Sequence, residues 1–156
     1  QPASESEDGL VGSERCRRDS SFVICGGGPT GVEVAAEIFD LIHEDIHKYF
    51  PSYLPHEANV HLLQHPSHIL NTYSEKISEF AEERFRKEKL NVVTNAHVDE
   101  ITPTSVTYTL TNPLTETHEK CTVPTGWTVW SAGVKMNDFT HFLTTTLPHQ
   151  GHRHAH

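Results

Sequence analysis

Residues 21–31 read Ser-Phe-Val-Ile-Cys-Gly-Gly-Gly-Pro-Thr-Gly, an apolar run followed directly by a glycine-rich run. Its apolar, partly β-branched beginning is typical of a strand that is buried on both faces. Gly26, Gly28 and Gly31 follow with the spacing Gly-x-Gly-x-x-Gly. In that pattern the first glycine permits a tight turn, the second lets the backbone approach a pyrophosphate, and the third lets a helix pack against the strand. The stretch therefore predicts a phosphate-binding turn between a strand and a helix.

The predicted turn lies inside a βαβ unit. After the turn, apolar residues recur at three- and four-residue steps and predict an amphipathic helix; these residues are Val32, Ala35, Ala36, Phe39, Ile42 and Ile46. Pro51 and Pro55 stop the helix, and residues 60–63 predict the second strand. A P-loop nucleotide hydrolase is excluded, because its motif needs Lys and then Ser or Thr after the last glycine, whereas Val32 and Glu33 follow here.

The remaining sequence predicts a second helix and further strands. Residues 72–75 have capping-box spacing and open a helix, one side of which carries Ile77, Phe80, Ala81 and Phe85. Residues 90–93 predict a third strand, residues 97–123 alternate as in an antiparallel meander, and residues 127–131 predict a last strand. We therefore expect an α/β fold, namely a Rossmann-like βαβ dinucleotide-binding domain with an antiparallel β-meander.

The composition limits the possible functions. A net charge of -9 over 156 residues argues against binding to nucleic acid or anionic lipid. No apolar run reaches the roughly 20 residues needed to cross a bilayer, so we expect a soluble chain without a membrane segment. The three cysteines include no close pair and cannot form a Cys-x-x-Cys site. Any redox chemistry is therefore expected to come from a cofactor.

The chain is expected to have three segments. Residues 1–20 are polar without apolar periodicity and predict a flexible N-terminal arm. Residues 21–136 form the predicted nucleotide-binding domain. Residues 137–156 form a weakly patterned, histidine-rich tail. Its histidines offer at most weak chelation of a divalent metal, and we assign no metal site.

The residue that ends the second strand bears on the choice of coenzyme. An acidic residue commonly stands there and binds the adenosine ribose, but this chain has Gln64. A neutral side chain would not repel the extra phosphate of NADPH, and donors are available beside it at His65, Ser67 and His68. Two interpretations stay open: the chain accepts NADPH, or Gln64 bonds the ribose of NADH.

A competing motif lies at the end of the first helix. Residues 43–47 read His-Glu-Asp-Ile-His and match His-Glu-x-x-His, which presents two imidazoles to zinc with a glutamate as general base. In a chain with 13 histidines, about one such pair is expected by chance. The longer metalloprotease motif fails, because Phe50 and Tyr53 replace its glycine and third histidine. A zinc hydrolase is the least favoured alternative.

The glycine run with Glu33, and the later run Trp130-Ser131-Ala132-Gly133, together resemble the NAD(P)H-binding domain of type II NAD(P)H:quinone oxidoreductases, the alternative NADH dehydrogenases of mitochondria and bacteria. The resemblance extends from about Ser21 to His149. It implies a flavoenzyme in which a hydride passes from NADH or NADPH to FAD and electrons then pass to quinone. It also implies a peripheral location on the mitochondrial inner membrane.

The resemblance implies individual site residues as well. The coenzyme would be bound by Gly26, Gly27, Gly28, Pro29, Thr30, Gly31, Gln64, His65, Ala132 and Gly133. Glu33 would be catalytic and assist hydride or proton transfer near the flavin. The other interpretation makes Glu33 a solvated residue near the positive end of a helix.

The sequence carries only one glycine fingerprint, so FAD lacks a turn of its own. We therefore expect one domain of such an enzyme, inactive on its own, whose partner is the FAD-binding domain. The tail at residues 137–156 would begin the missing FAD-binding segment. A non-catalytic NAD(P)H-binding module is the alternative.

Overall fold

The computed structural model describes residues 21–49, 58–88 and 90–147. The predicted arm at residues 1–20, the two stop prolines and the histidines from position 149 onward lie outside these ranges. The strands are β1 (Ser21–Cys25), β2 (Asn59–Leu63), β3 (Asn91–Val93), β4 (Ala96–Ile101), β5 (Ser105–Thr111), β6 (His118–Pro124) and β7 (Trp127–Trp130). The helices are α1 (Pro29–Asp40), α2 (His47–Tyr49), α3 (Glu75–Glu88) and α4 (Asp138–Thr146), and a π-helical segment, Leu41–Ile46, joins α1 to α2.

The strands form two sheets, and the predicted α/β fold is confirmed. A parallel sheet has the order β3-β2-β1-β7, and an antiparallel sheet has the order β4-β5-β6. The parallel order requires crossovers: α1 connects β1 to β2, α3 connects β2 to β3, and the antiparallel strands lie between β3 and β7. The antiparallel sheet is the predicted meander, because its strands pair in sequence order.

Strand β1 is the centre of the core because it pairs with β2 on one side and with β7 on the other. Its side chains alternate between two apolar clusters. Ile24 packs with Leu62 and the helices, whereas Val23 packs with Leu63 and the antiparallel sheet. Both β1 side chains are fully buried, as predicted from the apolar run. Burying each such side chain stabilises the fold by roughly 1.5–3 kcal/mol.

Helix α3 corrects two predictions. It begins at Glu75 and not at the predicted capping residue Thr72. Ser78 and Phe85 are its buried residues, whereas Phe80 is 72% exposed and Ile77 is 46% exposed. The Ser78 hydroxyl donates to the carbonyl of Leu70 at 3.3 Å, and Phe85 and Ala81 pack in the core beside the parallel sheet. The predicted apolar side was therefore wrong for two of its four residues.

Helix α4 was missed by the sequence analysis. The Asn137 side chain caps its N-terminus by accepting a bond from the backbone N–H of Thr140 at 2.7 Å. An Asn-Asp pair at a helix start was an available signal, but the threonines of the helix weaken the apolar pattern. None of the residues of α4 is buried. Within the described ranges, no helix combines the length and the apolar character that a bilayer span needs.

Candidate functional site

A cleft of about 840 Å³ lies at the carboxyl ends of the parallel strands. The cleft is lined by the glycine turn, by the segment that follows β2, by the start of β4 and by the segment that follows β7. In open α/β sheets, ligands bind at this edge, where strand order reverses. The central position of β1, between β2 and β7, places the glycine turn at that point.

Two of the glycines are required by the backbone itself. Gly26 has a φ of +116°, and a Cβ there would lie 2.8 Å from the backbone nitrogen of Ala132. A Cβ on Gly31 would lie 1.8 Å from the carbonyl oxygen of Gly26. The first glycine therefore allows the turn, and Gly31 allows α1 to lie against it, as the spacing predicted.

Gly28 differs from these two glycines. It adopts an ordinary extended conformation with φ -74° and ψ -179° as the residue before α1. Among the described residues, no atom lies within 4 Å of a Cβ built on Gly28, and the residue lines the cleft. Its missing side chain therefore leaves space open on the cleft side.

The N-terminus of α1 points its first amides toward this space. The helix begins at Pro29, and no side chain of the described residues caps it. The first amides of a helix have no intrahelical acceptor, and the helix dipole adds a partial positive charge. Pro29 and Thr30 line the cleft. The arrangement can hold an anionic group, with a contribution of about 0.3–1 kcal/mol from the dipole.

Gln64 is engaged within the protein. Its side-chain Oε1 accepts a bond from the backbone N–H of Gly27 at 2.7 Å, and its Nε2 donates to the carbonyl of His68 at 3.3 Å. The residue is only 7% exposed. The backbone N–H of Leu70 also donates to the carbonyl of Gly27 at 2.7 Å. Gln64 therefore holds the glycine turn against the segment that follows β2.

Two histidines lie together on the far side of the cleft. The rings of His65 and His97 meet edge to face, with centroids 5.2 Å apart. Both residues are exposed and line the cleft. His65 was predicted as a site residue, whereas His97, at the start of β4, was not. The two histidines come together because the chain after β2 is bonded to the start of β4, where the backbone N–H of Ala96 donates to the carbonyl of Gln64.

The segment after β7 is bonded to the glycine turn through Ser131. Its backbone N–H donates to the carbonyl of Cys25 at 2.9 Å. Its hydroxyl lies 3.1 Å from the carbonyls of both Cys25 and Gly26. Ala132 and Gly133 follow and line the cleft, and Gly133 has a φ of +75°. The residues predicted on this segment therefore reach the same cleft as the glycine turn.

Replacing Ser131 tests this connection. Ser131→Ala removes the hydroxyl and keeps the backbone bond, so we expect the free energy of unfolding to fall by about 1 kcal/mol. Urea denaturation followed by circular dichroism measures the change. Thr144→Ala, in exposed helix α4, is the control, since its hydroxyl donates only to His141 in the preceding turn. A Ser131→Ala midpoint equal to that of the unmodified chain would show that the hydroxyl contributes nothing.

Glu33 and Cys25 are not arranged for chemistry inside the cleft. Glu33 is exposed on α1, in the second turn, and is not among the residues that line the cleft. Cys25 does line the cleft, but burial raises the pKa of its thiol to about 11. It therefore stays a neutral thiol at physiological pH and lacks the thiolate that a nucleophile needs.

The first four residues of the His-Glu-x-x-His motif lie in the π-helical segment, and His47 is the first residue of α2. A π-helical segment has more residues per turn than an α-helix. The ring of His43 stacks on Phe39, and its Nδ1 lies 2.9 Å from the Phe39 carbonyl. The side chain of His47 lies outside the described part. In that part, no group of three potential metal ligands is found.

The fold and the cleft together define a Rossmann-like domain of the dinucleotide-binding class. Residues 4–151 match the pyridine nucleotide-disulphide oxidoreductase family. The chain belongs to this family.

Known proteins also confirm the narrower resemblance. The chain is 42% identical over 126 residues to the mitochondrial external alternative NAD(P)H-ubiquinone oxidoreductase B1 of Arabidopsis thaliana. The aligned region covers 81% of this chain and 21% of that protein. It is 35% identical over 137 residues to the mitochondrial external NADH-ubiquinone oxidoreductase 2 of Saccharomyces cerevisiae. Here the aligned region covers 88% of this chain and 24% of that protein. The chain thus spans about a fifth to a quarter of the length of these relatives.

A solved structure shows the same fold. NDH2 from Plasmodium falciparum in complex with NADH superposes with a TM-score of 0.74 at 26% sequence identity. The match covers 88% of this chain and 27% of that protein.

Proposed function

We propose that this chain is the NAD(P)H-binding domain of an FAD-dependent NAD(P)H:quinone oxidoreductase. One observation carries the proposal: the uncapped N-terminus of α1 and the open side of Gly28 face one cleft at the carboxyl edge of the parallel sheet. A pyrophosphate needs such a site. The relatives named for NAD(P)H-ubiquinone oxidoreduction and the relative solved with NADH support the choice of ligand.

In this proposal the residues of the chain bind and orient the coenzyme. The amides at Thr30 and Gly31 bind the pyrophosphate, and the open side of Gly28 lets it approach the backbone. The segment that follows β2 lies at the adenosine end of the coenzyme, as in other folds of this class. Ala132 and Gly133 border the nicotinamide end. We keep Gln64 as part of the site because it holds the turn in place.

The proposed reaction needs FAD, which accepts the hydride and passes electrons to quinone. The sequence has only one glycine turn of the dinucleotide type, and the residues that line the cleft suit the pyridine nucleotide. We therefore propose that the FAD-binding domain belongs to the rest of the protein. Glu33 is exposed on α1, and its proposed catalytic role requires the flavin to lie against that side of the helix.

The surface around β7 and α4 supports a partner domain. Trp127 and Trp130 are 65% and 59% exposed on the edge strand, and Phe139 and Phe142 are 69% and 61% exposed on α4. Exposed apolar side chains mark an interface where they form a contiguous patch, and these four are large and exposed. We propose that residues 21–136 form the NAD(P)H-binding domain and that residues 137–156 begin the FAD-binding segment.

The two curated relatives described above are mitochondrial proteins by name. We propose that the full protein acts on the mitochondrial inner membrane as a peripheral enzyme. The quinone would be reached through parts of the protein other than the described residues.

Calorimetric titration of this chain with NADH and NADPH tests the proposal. We expect saturable binding of at least one of them, with a dissociation constant between about 1 µM and 1 mM, the range of ordinary substrate constants. The chain alone should be colourless and should not oxidise NADH with a quinone. If it bound neither coenzyme, the proposal would be lost. If it bound and no flavin partner restored activity, a non-catalytic NAD(P)H-binding module would be the better description.

A further inference from the structure

A second cavity, of about 590 Å³, lies at the outer edge of the parallel sheet. Strand β3 ends this sheet, and residues 90–94 line the cavity. The other lining residues come from α3, from His61 on β2 and from Tyr108 on β5. The cavity shares no lining residue with the cleft at the glycine turn. It is therefore a separate space, and its volume lies in the range of small-molecule sites, roughly 300–1,000 Å³.

Arg86 brings a positive charge to this cavity. Glu82 and Glu83 precede it on α3 at the spacings where helical ion pairs form. However, Glu83 is paired with Lys87 at 2.9 Å, and Oε1 of Glu82 accepts a bond from the backbone N–H of Ile69 at 3.2 Å. Among the described residues, Arg86 is therefore in ion-pair contact with no carboxylate. Its guanidinium is available to a ligand.

Two neutral polar side chains line the same cavity from the sheet. His61 and Asn91 are register partners on β2 and β3, so their side chains lie on one face. Neither side chain is hydrogen-bonded to another described residue. Every fully buried polar side-chain atom in the described ranges has a partner, so these two groups are open to the cavity. Burial lowers the pKa of His61, and its imidazole is therefore neutral at physiological pH and offers one N–H.

The cavity also has an apolar part. Leu90 is buried, and Val92 and Val93 are half-buried beside it. Tyr108 comes from the antiparallel sheet and is only 8% exposed, so its ring adds further apolar surface. A ligand that covers these side chains gains from the removal of apolar surface from water. A bound molecule would thus have a charged end and an apolar body.

We propose that this cavity binds a small organic carboxylate with an apolar body, and that Arg86 holds the carboxylate. A guanidinium binds a carboxylate through two parallel N–H bonds, which a neutral group cannot match. His61 and Asn91 add neutral donors, and one cation with two neutral groups suits a single negative charge. The apolar body lies on Leu90 and Val92. The site is independent of the proposed coenzyme cleft.

Octanoate tests the inference on the whole chain, with octanamide as its neutral counterpart. Nuclear magnetic resonance follows the side-chain signals of His61 and Asn91 during the titration. We expect saturable octanoate binding with a dissociation constant on the order of 1 mM, as a ligand of about ten non-hydrogen atoms permits. Octanamide should bind at least roughly tenfold more weakly. The octanoate affinity should be the same with and without an excess of NADH.

Two arginines of α3 provide a matched pair of variants. Arg86→Gln should weaken octanoate binding at least roughly tenfold and leave the unfolding midpoint unchanged, because Arg86 is exposed and in no ion pair among the described residues. Arg84→Gln removes the same charge from the same helix, but Arg84 is paired with Glu88 and lies outside the cavity lining. Octanoate should bind this control as it binds the unmodified chain.

Several outcomes would overturn the inference. Octanoate would then shift no side-chain signal of the cavity, or octanamide would bind as tightly as octanoate. Equal losses of octanoate affinity in Arg84→Gln and Arg86→Gln would also contradict it. Competition between octanoate and NADH would place the carboxylate in the coenzyme cleft and not in this cavity. If the chain bound octanoate here but neither coenzyme, the inference would stand and the proposed function would be lost.

Discussion

Gly31→Ala is expected to reduce the free energy of unfolding by at least about 3 kcal/mol, the upper range for forcing an extra methyl into packed structure. The new Cβ would lie 1.8 Å from the carbonyl oxygen of Gly26 and 2.7 Å from the Ser131 hydroxyl. The first neighbour is backbone and cannot move alone. The N–H of Gly26 is bonded to the Leu63 carbonyl at 2.8 Å, which holds the turn in place. The clash with the new Cβ can therefore be removed only if α1 moves away from the turn.

Urea denaturation followed by circular dichroism measures this loss. We also expect NADH binding to disappear, because the amides of α1 shift with the helix. Ala35→Gly is a matched control, because Ala35 is a small buried residue of the same helix. Its free energy of unfolding should fall by about 1 kcal/mol from the difference in helix propensity, and further only by the loss of the methyl contacts. If the free energy of unfolding of Gly31→Ala lay within about 0.5 kcal/mol of that of the unmodified chain, the usual range for surface changes, the tight packing of α1 against the turn would be contradicted.

Gly28→Val is expected to have the opposite result, with normal stability and lost binding. The φ of -74° and ψ of -179° at Gly28 are allowed for any residue. No atom of the described residues lies within 4 Å of the new Cβ, so the free energy of unfolding should change by less than about 0.5 kcal/mol. The added side chain stands on the open side of the turn, where we propose that the pyrophosphate lies. NADH affinity should fall at least about tenfold, or 1.4 kcal/mol.

Titration calorimetry with NADH and circular dichroism on the same sample separate the two effects. Gly28→Ala, with a smaller side chain, should give an intermediate affinity. If Gly28→Val bound NADH as tightly as the unmodified chain, the pyrophosphate would not lie at this turn. A large loss of stability would instead show that the residue packs against atoms in the folded state.

The local elements were largely predictable. Three contiguous elements each carry a local signal. These are the apolar run of β1, the glycines of the turn, and the helical periodicity of α1. The meander was predictable for the same reason, because its strands pair with neighbours in sequence. The predicted α3 face was wrong for Ile77 and Phe80, because helical periodicity alone does not show which side of this helix meets the core.

The site was predictable only in part. The glycine turn and the segment at Ala132 and Gly133 reach one cleft, as the resemblance implied. Glu33 lies on the exposed side of α1, as the alternative interpretation had it, and its catalytic role stays a prediction. The π-helical segment that holds His43 was not predicted. This segment has no distinct signal in residue order, because it depends on how α1 packs and ends.

The glycine turn could be derived from residue order, because the conformations that Gly26 and Gly31 allow are properties of those residues and their immediate neighbours. The family could be derived as well, from the turn together with the run that ends at Gly133. The role of Gln64 and the identity of the residue that joins His65 depended on the folded arrangement. The Gly27 amide is 37 positions from Gln64, and His97 lies on another sheet. Such contacts are set by strand pairing and packing over long sequence separations, which local patterns do not encode.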